Sequence, residues 1–171
     1  MTTPCKTAVC PCSVLVAVCL AFLVVSPNAA SQDSPSKDKL IVETLLRLKR
    51  YDVSANDKWK AAIGRHLETL EGTPRYLELV KTFGIREAIP NLLELTISLP
   101  TDTIGVNAAS MLLDFKQSVL LKKVIHGEDS ARALAVAQAL SLGGHSARSD
   151  ILKALVIDTQ LSRQIRNVAI K

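Results

Sequence analysis

A doubled apolar pair occurs three times along this chain at nearly constant spacing. Leu92-Leu93-x-x-Thr96-Ile97 is followed 28 positions later by Leu120-Leu121-x-x-Val124-Ile125, and after another 31 positions by Ile151-Leu152-x-x-Leu155-Val156. A period of about 30 with two helices per unit is typical of an α-solenoid, in which each unit buries its apolar face against its neighbours. The sequence therefore predicts an all-α fold, a right-handed solenoid of about four helix pairs.

Helices rich in small residues lie between these copies, at 104–115 and 131–142, and a third begins at 161. The first carries an apolar stripe that we expect to be buried: Ile104, Ala108, Met111, Leu112 and Phe115. The same positions shifted by 27 are Ala131, Ala135, Gln138, Ala139 and Leu142. Small side chains allow two helix axes to approach closely, so the pattern predicts tight stacking of helix pairs.

Capping residues and glycines mark the helix boundaries. Helical periodicity begins at Leu40, Ser54 or Asn56 is expected to cap the second helix, and Thr73-Pro74 is expected to open the third. Gly72 is expected to supply a left-handed stop after the second helix, and Gly84 is expected to end the third. Further caps are expected from the cluster Thr101-Asp102-Thr103 and at Asp129 and Ser146. The β-like run 154–157 repeats 123–125 and is assigned to the end of a helix, which gives nine helices and no strand.

The first 31 residues are typical of a secretory signal peptide. Lys6 precedes an uncharged apolar run at 13–25, and small residues follow, with cleavage expected after Ala30 or Ser31. The run is shorter than the roughly 20 residues that span a bilayer. We therefore predict an exported chain, periplasmic or extracellular, without a membrane span after cleavage. If the run extends back to Ala8, an uncleaved anchor is the alternative.

The domain prediction follows from these boundaries: a signal peptide at 1–31, a flexible polar lead-in at 32–38 and a solenoid at 39–171. The four cysteines all lie in the signal peptide, at Cys5, Cys10, Cys12 and Cys19. The rest of the chain therefore has no disulfide, thiolate metal site or nucleophilic cysteine.

The charge of the chain is modest and dispersed. Without Lys6, 20 basic residues stand against 16 acidic residues, a formal charge of +4. A nucleic-acid-binding protein would present a dense basic stripe with stacking aromatic residues. The basic residues here are instead typical of solvated helix faces, and no nucleic-acid partner is predicted.

No motif for catalysis, metal binding or cofactor binding is present. The three histidines, His66, His126 and His145, are never three or four residues apart, so the helical two-histidine metal motif is absent. We expect His66 to be partly buried and hydrogen-bonded on a helix, and His126 and His145 to be solvated or capping residues at turns. The prediction is a protein without enzymatic activity, catalytic residues, cofactor or metal.

From Gly105-Val106-Asn107-Ala108-Ala109 onward the chain resembles HEAT-type repeats in their short bacterial form. Ile165-Arg166-x-x-Ala169 is similar to the core of the first helix in that family. The departures are Asn107 and Leu134 where an arginine could stand, and Thr96 and Gln138 at apolar sites. The resemblance implies a scaffold that binds a protein or peptide partner.

A second resemblance covers residue 43 to the end of the chain. It is carried by the segments 43–52 (ETLLRLKRYD), 72–80 (GTPRYLELV) and 102–106 (DTIGV). These are similar to large exported planctomycete proteins in which HEAT-like helices precede a c-type cytochrome domain. Covalent haem attachment needs Cys-x-x-Cys-His, whereas this chain has Cys10-Pro11-Cys12 with no histidine following.

Two functions follow as expectations. The first is an exported HEAT-repeat scaffold that binds protein or peptide. The alternative is the N-terminal helical part of a multidomain c-type cytochrome, with the haem domain in a longer parent protein. Since the last helix carries an apolar stripe up to Ile170 with no following partner helix, the sequence also predicts a solenoid truncated at its C-terminus.

Overall fold

A computed structural model describes residues 35–53 and 56–170, and all regular elements in these ranges are helical. The α-helices are α1 (Pro35–Arg47), α2 (Asp57–Glu68), α3 (Pro74–Phe83), α4 (Ile89–Ser98), α5 (Thr103–Asp114), α6 (Ser118–Ile125), α7 (Ser130–Leu142), α8 (Arg148–Ile157) and α9 (Arg163–Ala169). A 3-10 turn, Arg86–Ala88, precedes α4. Within the described ranges, the all-α prediction, the nine helices and the absence of strands are confirmed.

The helices contact one another in an alternating order. α3, α5, α7 and α9 touch in succession, while α4 packs on α5 and α7, α6 packs on α7, and α8 packs on α7 and α9. At the N-terminal side, α1 packs on α2 and α2 contacts α3. One continuous apolar core runs from Val42 to Ala169 through these contacts.

Helix α7 is the most enclosed helix of this arrangement. It is contacted by α4, α5, α6, α8 and α9, and its buried residues are mostly alanines: Ala133, Ala135, Val136, Ala137, Ala139 and Leu140. The predicted stripe is wrong at its ends, because Ala131 is exposed and Leu142 is 57% exposed. Several neighbours surround α7, so its buried positions do not form the single stripe that a one-sided helix would show.

Helix α1 begins earlier than the sequence pattern indicated. Residues 35–38 of the predicted flexible lead-in are helical, and Asp38 is buried. The Arg65 guanidinium donates two hydrogen bonds to Asp38, from Nε to Oδ2 and from Nη2 to Oδ1, both 2.8 Å long, and it holds the pKa of this carboxyl below its usual range. Apolar periodicity could not locate this helix start, because an ion pair anchors it to α2. The predicted signal peptide at 1–31 lies outside the described residues.

The predicted caps are confirmed at four helices and wrong at one. Asn56 caps α2, Thr73 caps α3, Asp102 caps α5 and Asp129 caps α7, each accepting backbone N–H hydrogen bonds. Ser146 does not cap α8. The N-cap residue of α8 is Ala147, and no side-chain hydrogen bond caps this helix. In the turn before it, His145 Nδ1 accepts the N–H of Ala147 at 3.0 Å.

Three alternate helices end in the same backbone motif. After α1, α3 and α5, a residue with positive φ stands at Lys49 (53°), Gly84 (63°) and Lys116 (61°). Its N–H and the next N–H bond to carbonyls three and five residues earlier, which is the Schellman motif. Only Gly84 was recognisable in the sequence, because lysine is not a residue that marks left-handed backbone.

The last helix is better covered than the sequence indicated. Of the expected uncovered stripe, Leu161, Ile165 and Ala169 are buried, whereas Ile170 is 67% exposed. Both α7 and α8 pack against α9. The apolar stripe that the sequence indicated as half-covered is therefore buried at Leu161, Ile165 and Ala169 and exposed at Ile170.

We expect Gly105→Ala to destabilise the fold, because α4 and α5 meet at this residue. A Cβ built on Gly105 would lie 1.9 Å from the carbonyl oxygen of Leu99, so the two helices would have to separate. Overpacking of this kind costs about 1–3 kcal/mol or more, measurable by urea denaturation followed by circular dichroism. As the matched control, Gly64→Ala in α2 meets no atom within 4 Å and should stabilise by about 0.5–1 kcal/mol. A Gly105→Ala protein as stable as wild type would contradict the close approach of these helices.

Replacing Lys116 with glycine should stabilise the fold. Left-handed backbone costs a residue with a Cβ roughly 1–2 kcal/mol, and the greater freedom of glycine in the unfolded chain offsets part of the gain. The net expectation is about 0.5–1 kcal/mol in the free energy of unfolding. Gly84→Ala, at the matching end of α3, should change stability in the opposite direction. If thermal denaturation showed that both variants change the stability in the same direction, α3 and α5 would not share the left-handed helix end described above.

Candidate functional site

An open groove of about 390 Å³ lies between α3 and α5. All of its lining residues belong to these two helices: Pro74, Leu77, Glu78, Lys81, Thr103, Ile104, Asn107, Ser110, Met111 and Asp114. We call this the α3–α5 groove. α4 intervenes between α3 and α5 in the chain, so the two groove walls are brought together only by tertiary packing.

The floor of the groove is apolar. Leu77 and Met111 are 6% and 5% exposed, and Ile104 is half-buried beside them. Helical spacing explains their common face, because Ile104 and Met111 are seven residues apart, two turns of α5. A partner side chain could therefore bury apolar surface here without displacing any charged group from the floor.

The rim at one end of the groove is charged. Lys81 Nζ lies 3.8 Å from Asp114 Oδ2, and Asp114 Oδ1 lies 3.1 Å from His145 Nε2. These residues stand near the ends of α3, α5 and α7, 33 and 31 positions apart. These contacts therefore connect the ends of three helices that are far apart in the sequence.

Asn107 supplies the exposed amide of the groove. Its side chain makes no hydrogen bond with any described residue, whereas the neighbouring Ser110 hydroxyl already donates to the Val106 carbonyl at 3.1 Å. A free carboxamide can both donate and accept. It therefore matches the alternating N–H and C=O groups of an extended peptide backbone. Asn107 is also one of the departures from the pattern of HEAT-type repeats, and this departure was the only feature of the sequence that set it apart.

His126 joins α6 to the segment after α8. Its Nδ1 lies 2.8 Å from the Lys122 carbonyl oxygen and its Nε2 lies 2.9 Å from Asp158 Oδ2. Both partners are acceptors, so only the doubly protonated imidazolium satisfies both. The Lys122 carbonyl and the Asp158 carboxylate accordingly raise the pKa of His126 above 6.5, and the same pairing lowers the pKa of Asp158.

The other two histidines differ from His126. His145 has an acceptor, Asp114, at Nε2 and a donor, the Ala147 N–H, at Nδ1. It lies in the turn before α8, where no side-chain hydrogen bond caps the helix. His66 is half-buried on α2 as predicted, but its ring makes no hydrogen bond to another described residue.

The described residues contain no cluster of three or more His, Cys, Asp or Glu side chains that could hold a metal ion. The sequence motif Cys10-Pro11-Cys12 lies outside the described residues. Among the described helices, none is both long and apolar enough to cross a membrane.

Comparison with protein-family models, with curated proteins and with solved structures found no match to this chain.

We expect the His126 resonances in an NMR titration to report a pKa above 6.5. Asp158→Asn should lower that pKa only part of the way, because the Lys122 carbonyl, the larger cause, remains. A folded-state pKa that is raised gives stability that is fully present below the unfolded pKa and is lost as pH rises through the folded value.

The corresponding stability measurement compares wild type with His126→Gln between about pH 5 and about pH 9. The difference in thermal midpoint should be larger at the acidic end and shrink towards the alkaline end. The same comparison in an Asp158→Asn background serves as the control and should show a weaker pH dependence. A His126 pKa at or below 6.5 would contradict the two-acceptor geometry.

Proposed function

We propose that this chain is an exported scaffold of the HEAT type, a right-handed α-solenoid that binds an extended segment of a partner protein and performs no chemistry itself. The observation that carries the proposal is the α3–α5 groove, which combines a buried apolar floor, a charged end and a free amide. The resemblance to HEAT-type repeats in the sequence is consistent with this use.

Periodic structure supports the repeat architecture. The left-handed helix ends at Lys49, Gly84 and Lys116 are 35 and 32 residues apart. His126 and Asp158, which bond to each other, stand directly after α6 and α8 and are 32 residues apart. Contacts between residues one period apart are what stacking of similar helix pairs produces, since each unit contacts its neighbours at equivalent positions.

The groove fits an extended peptide better than a compact small molecule. It is only partly enclosed, its walls are two helices, and the exposed Asn107 is one of its lining residues. An extended peptide offers backbone N–H and C=O groups to such an amide and places alternate side chains toward one side. Lys81 and Asp114, at the charged end, can pair with either sign of charge on the partner.

The test begins with selection of linear peptides from a display library on the full-length chain. Asn107→Ala should weaken the selected peptides about fivefold, because one net hydrogen bond contributes about 1 kcal/mol. Dissociation constants from fluorescence anisotropy measure this change. The variant should keep the wild-type thermal midpoint, since the Asn107 side chain is exposed.

Asn167→Ala is the matched control, because Asn167 is an exposed asparagine of α9 outside the groove. It should leave the affinity of the same peptides unchanged. Failure to select any peptide, or equal effects of the two substitutions, would refute binding in the α3–α5 groove.

A further inference from the structure

A second groove, separate from the α3–α5 groove, lies where α1 meets α2. It has a volume of about 270 Å³ and is lined by Leu40, Ile41, Thr44, Leu45, Leu48, Arg50 and Trp59. Five of these side chains are apolar. The Thr44 hydroxyl is already used within the helix, where it donates to the Leu40 carbonyl at 2.7 Å. We call this surface the α1 face.

The leucines of the α1 face are unusually exposed for their size. Leu40 and Leu48 are 64% and 61% exposed. They are eight residues apart with Thr44 halfway between them, and Leu48, directly after α1, still donates its N–H to the Thr44 carbonyl, so helical spacing places the three on one ridge. Val42 is buried in the core, and Leu45, at the bottom of the groove, is buried as well, so Leu40 and Leu48 are the apolar residues of this ridge that stay uncovered among the described residues.

Exposed cations surround this ridge. Arg47, Lys49 and Arg50 follow one another at the end of α1, and Lys37 lies one turn before Leu40. The side chain of Arg50, which lines the groove itself, makes no ion pair with any described residue. The nearest acidic groups on the same helix are engaged, since Asp38 is paired with Arg65 and Glu43 lies 3.9 Å from Lys39.

We propose that the α1 face binds the surface of an anionic phospholipid bilayer, with Leu40 and Leu48 inserted into the interface. Exposed leucines flanked by lysine and arginine are the combination by which a helix lies on a membrane surface. The basic residues attract the anionic headgroups, and the groove between Leu40, Leu48 and Trp59 accommodates the upper part of an acyl chain. The interaction is peripheral and adds to the binding of a partner protein in the α3–α5 groove.

Charge decides against a second copy of the chain as the occupant. A symmetric dimer through this face would bring Arg47, Lys49 and Arg50 of each copy close to the same residues of the other, and like charges at an interface oppose association. An anionic lipid surface has the complementary charge. Two exposed leucines also provide much less than the roughly 800 Å² per partner that a stable protein interface buries.

Trp59 makes the test specific to this site, because it is the only tryptophan of the chain and lines the groove. The full-length chain is mixed with vesicles of equal parts phosphatidylglycerol and phosphatidylcholine, and tryptophan emission is recorded. We expect a blue shift with these vesicles, loss of the shift in high salt, and little shift with phosphatidylcholine alone. Binding through the N-terminal segment alone would leave the environment of Trp59 unchanged.

Substitutions then separate the apolar and electrostatic parts. Leu40→Ser with Leu48→Ser should lower the partition coefficient about tenfold or more, since the inserted apolar area is lost. Arg50→Gln, a single exposed change that leaves the core intact, should lower it about fivefold. Both variants should unfold cooperatively, with thermal midpoints within a few degrees of the wild-type value.

A matched control exists on α6, which carries the exposed Val119 followed by Lys122 and Lys123. The triple variant Val119→Ser, Lys122→Gln, Lys123→Gln removes an apolar side chain and two charges away from α1 and should bind anionic vesicles almost like wild type. An unshifted Trp59 with anionic vesicles would overturn the proposal. So would equal shifts with both vesicle types, equal losses in the α1 and α6 variants, or a shift that depends on protein concentration without vesicles, which would identify a second copy as the occupant.

Discussion

The close packing around α7 is the constraint on which the rest of this structure depends. Five other helices contact α7, and a helix can have that many neighbours only if its side chains are short. Ala133, Ala135, Ala137 and Ala139 meet this condition and are all buried. Because interiors are packed at crystal-like density, a longer side chain at any of these positions would move a neighbouring helix. The glycine at 105 has the same role where α4 and α5 meet, since no Cβ fits against the Leu99 carbonyl. Small residues thus set the distances between helices throughout this core.

Polar contacts complement this apolar core at its edges. Lys81, Asp114 and His145 connect α3, α5 and the end of α7 along one edge, and His126 with Asp158 connects the ends of α6 and α8. The two histidines have different hydrogen-bond partners, since His126 faces two acceptors and His145 faces one acceptor and one donor. These contacts are partly exposed, so they add little stability individually. Their more important consequence is the relative position of the helix ends, because each contact joins residues 31 to 33 positions apart in the chain.

Two surfaces remain available for partners, and they differ in chemistry. The α3–α5 groove has a buried apolar floor, a free Asn107 amide and charges of both signs at one end. The α1 face has protruding leucines and an excess of cations, including Arg50, which lines the groove. The first arrangement suits a peptide backbone, and the second suits an anionic lipid surface. Since different helices form them, a chain that rests on a membrane through α1 would keep its α3–α5 groove open to a protein partner.

The sequence alone determined the features that local interactions encode. The nine helices of the described ranges, the caps at Asn56, Thr73, Asp102 and Asp129, and the left-handed end at Gly84 depend on residues within one or two turns, so the printed sequence was enough to predict them. Tertiary structure decided everything that needs a neighbour from another part of the chain. The helical start before Asp38 requires Arg65, 27 residues away. The exposed ends of the α7 stripe, the buried centre of α9 and both walls of the α3–α5 groove follow from which helices become adjacent. The periodicity of hydrophobic residues indicates that a helix has an apolar face. The packing of the neighbouring helices decides how much of that face is covered and where a groove stays open.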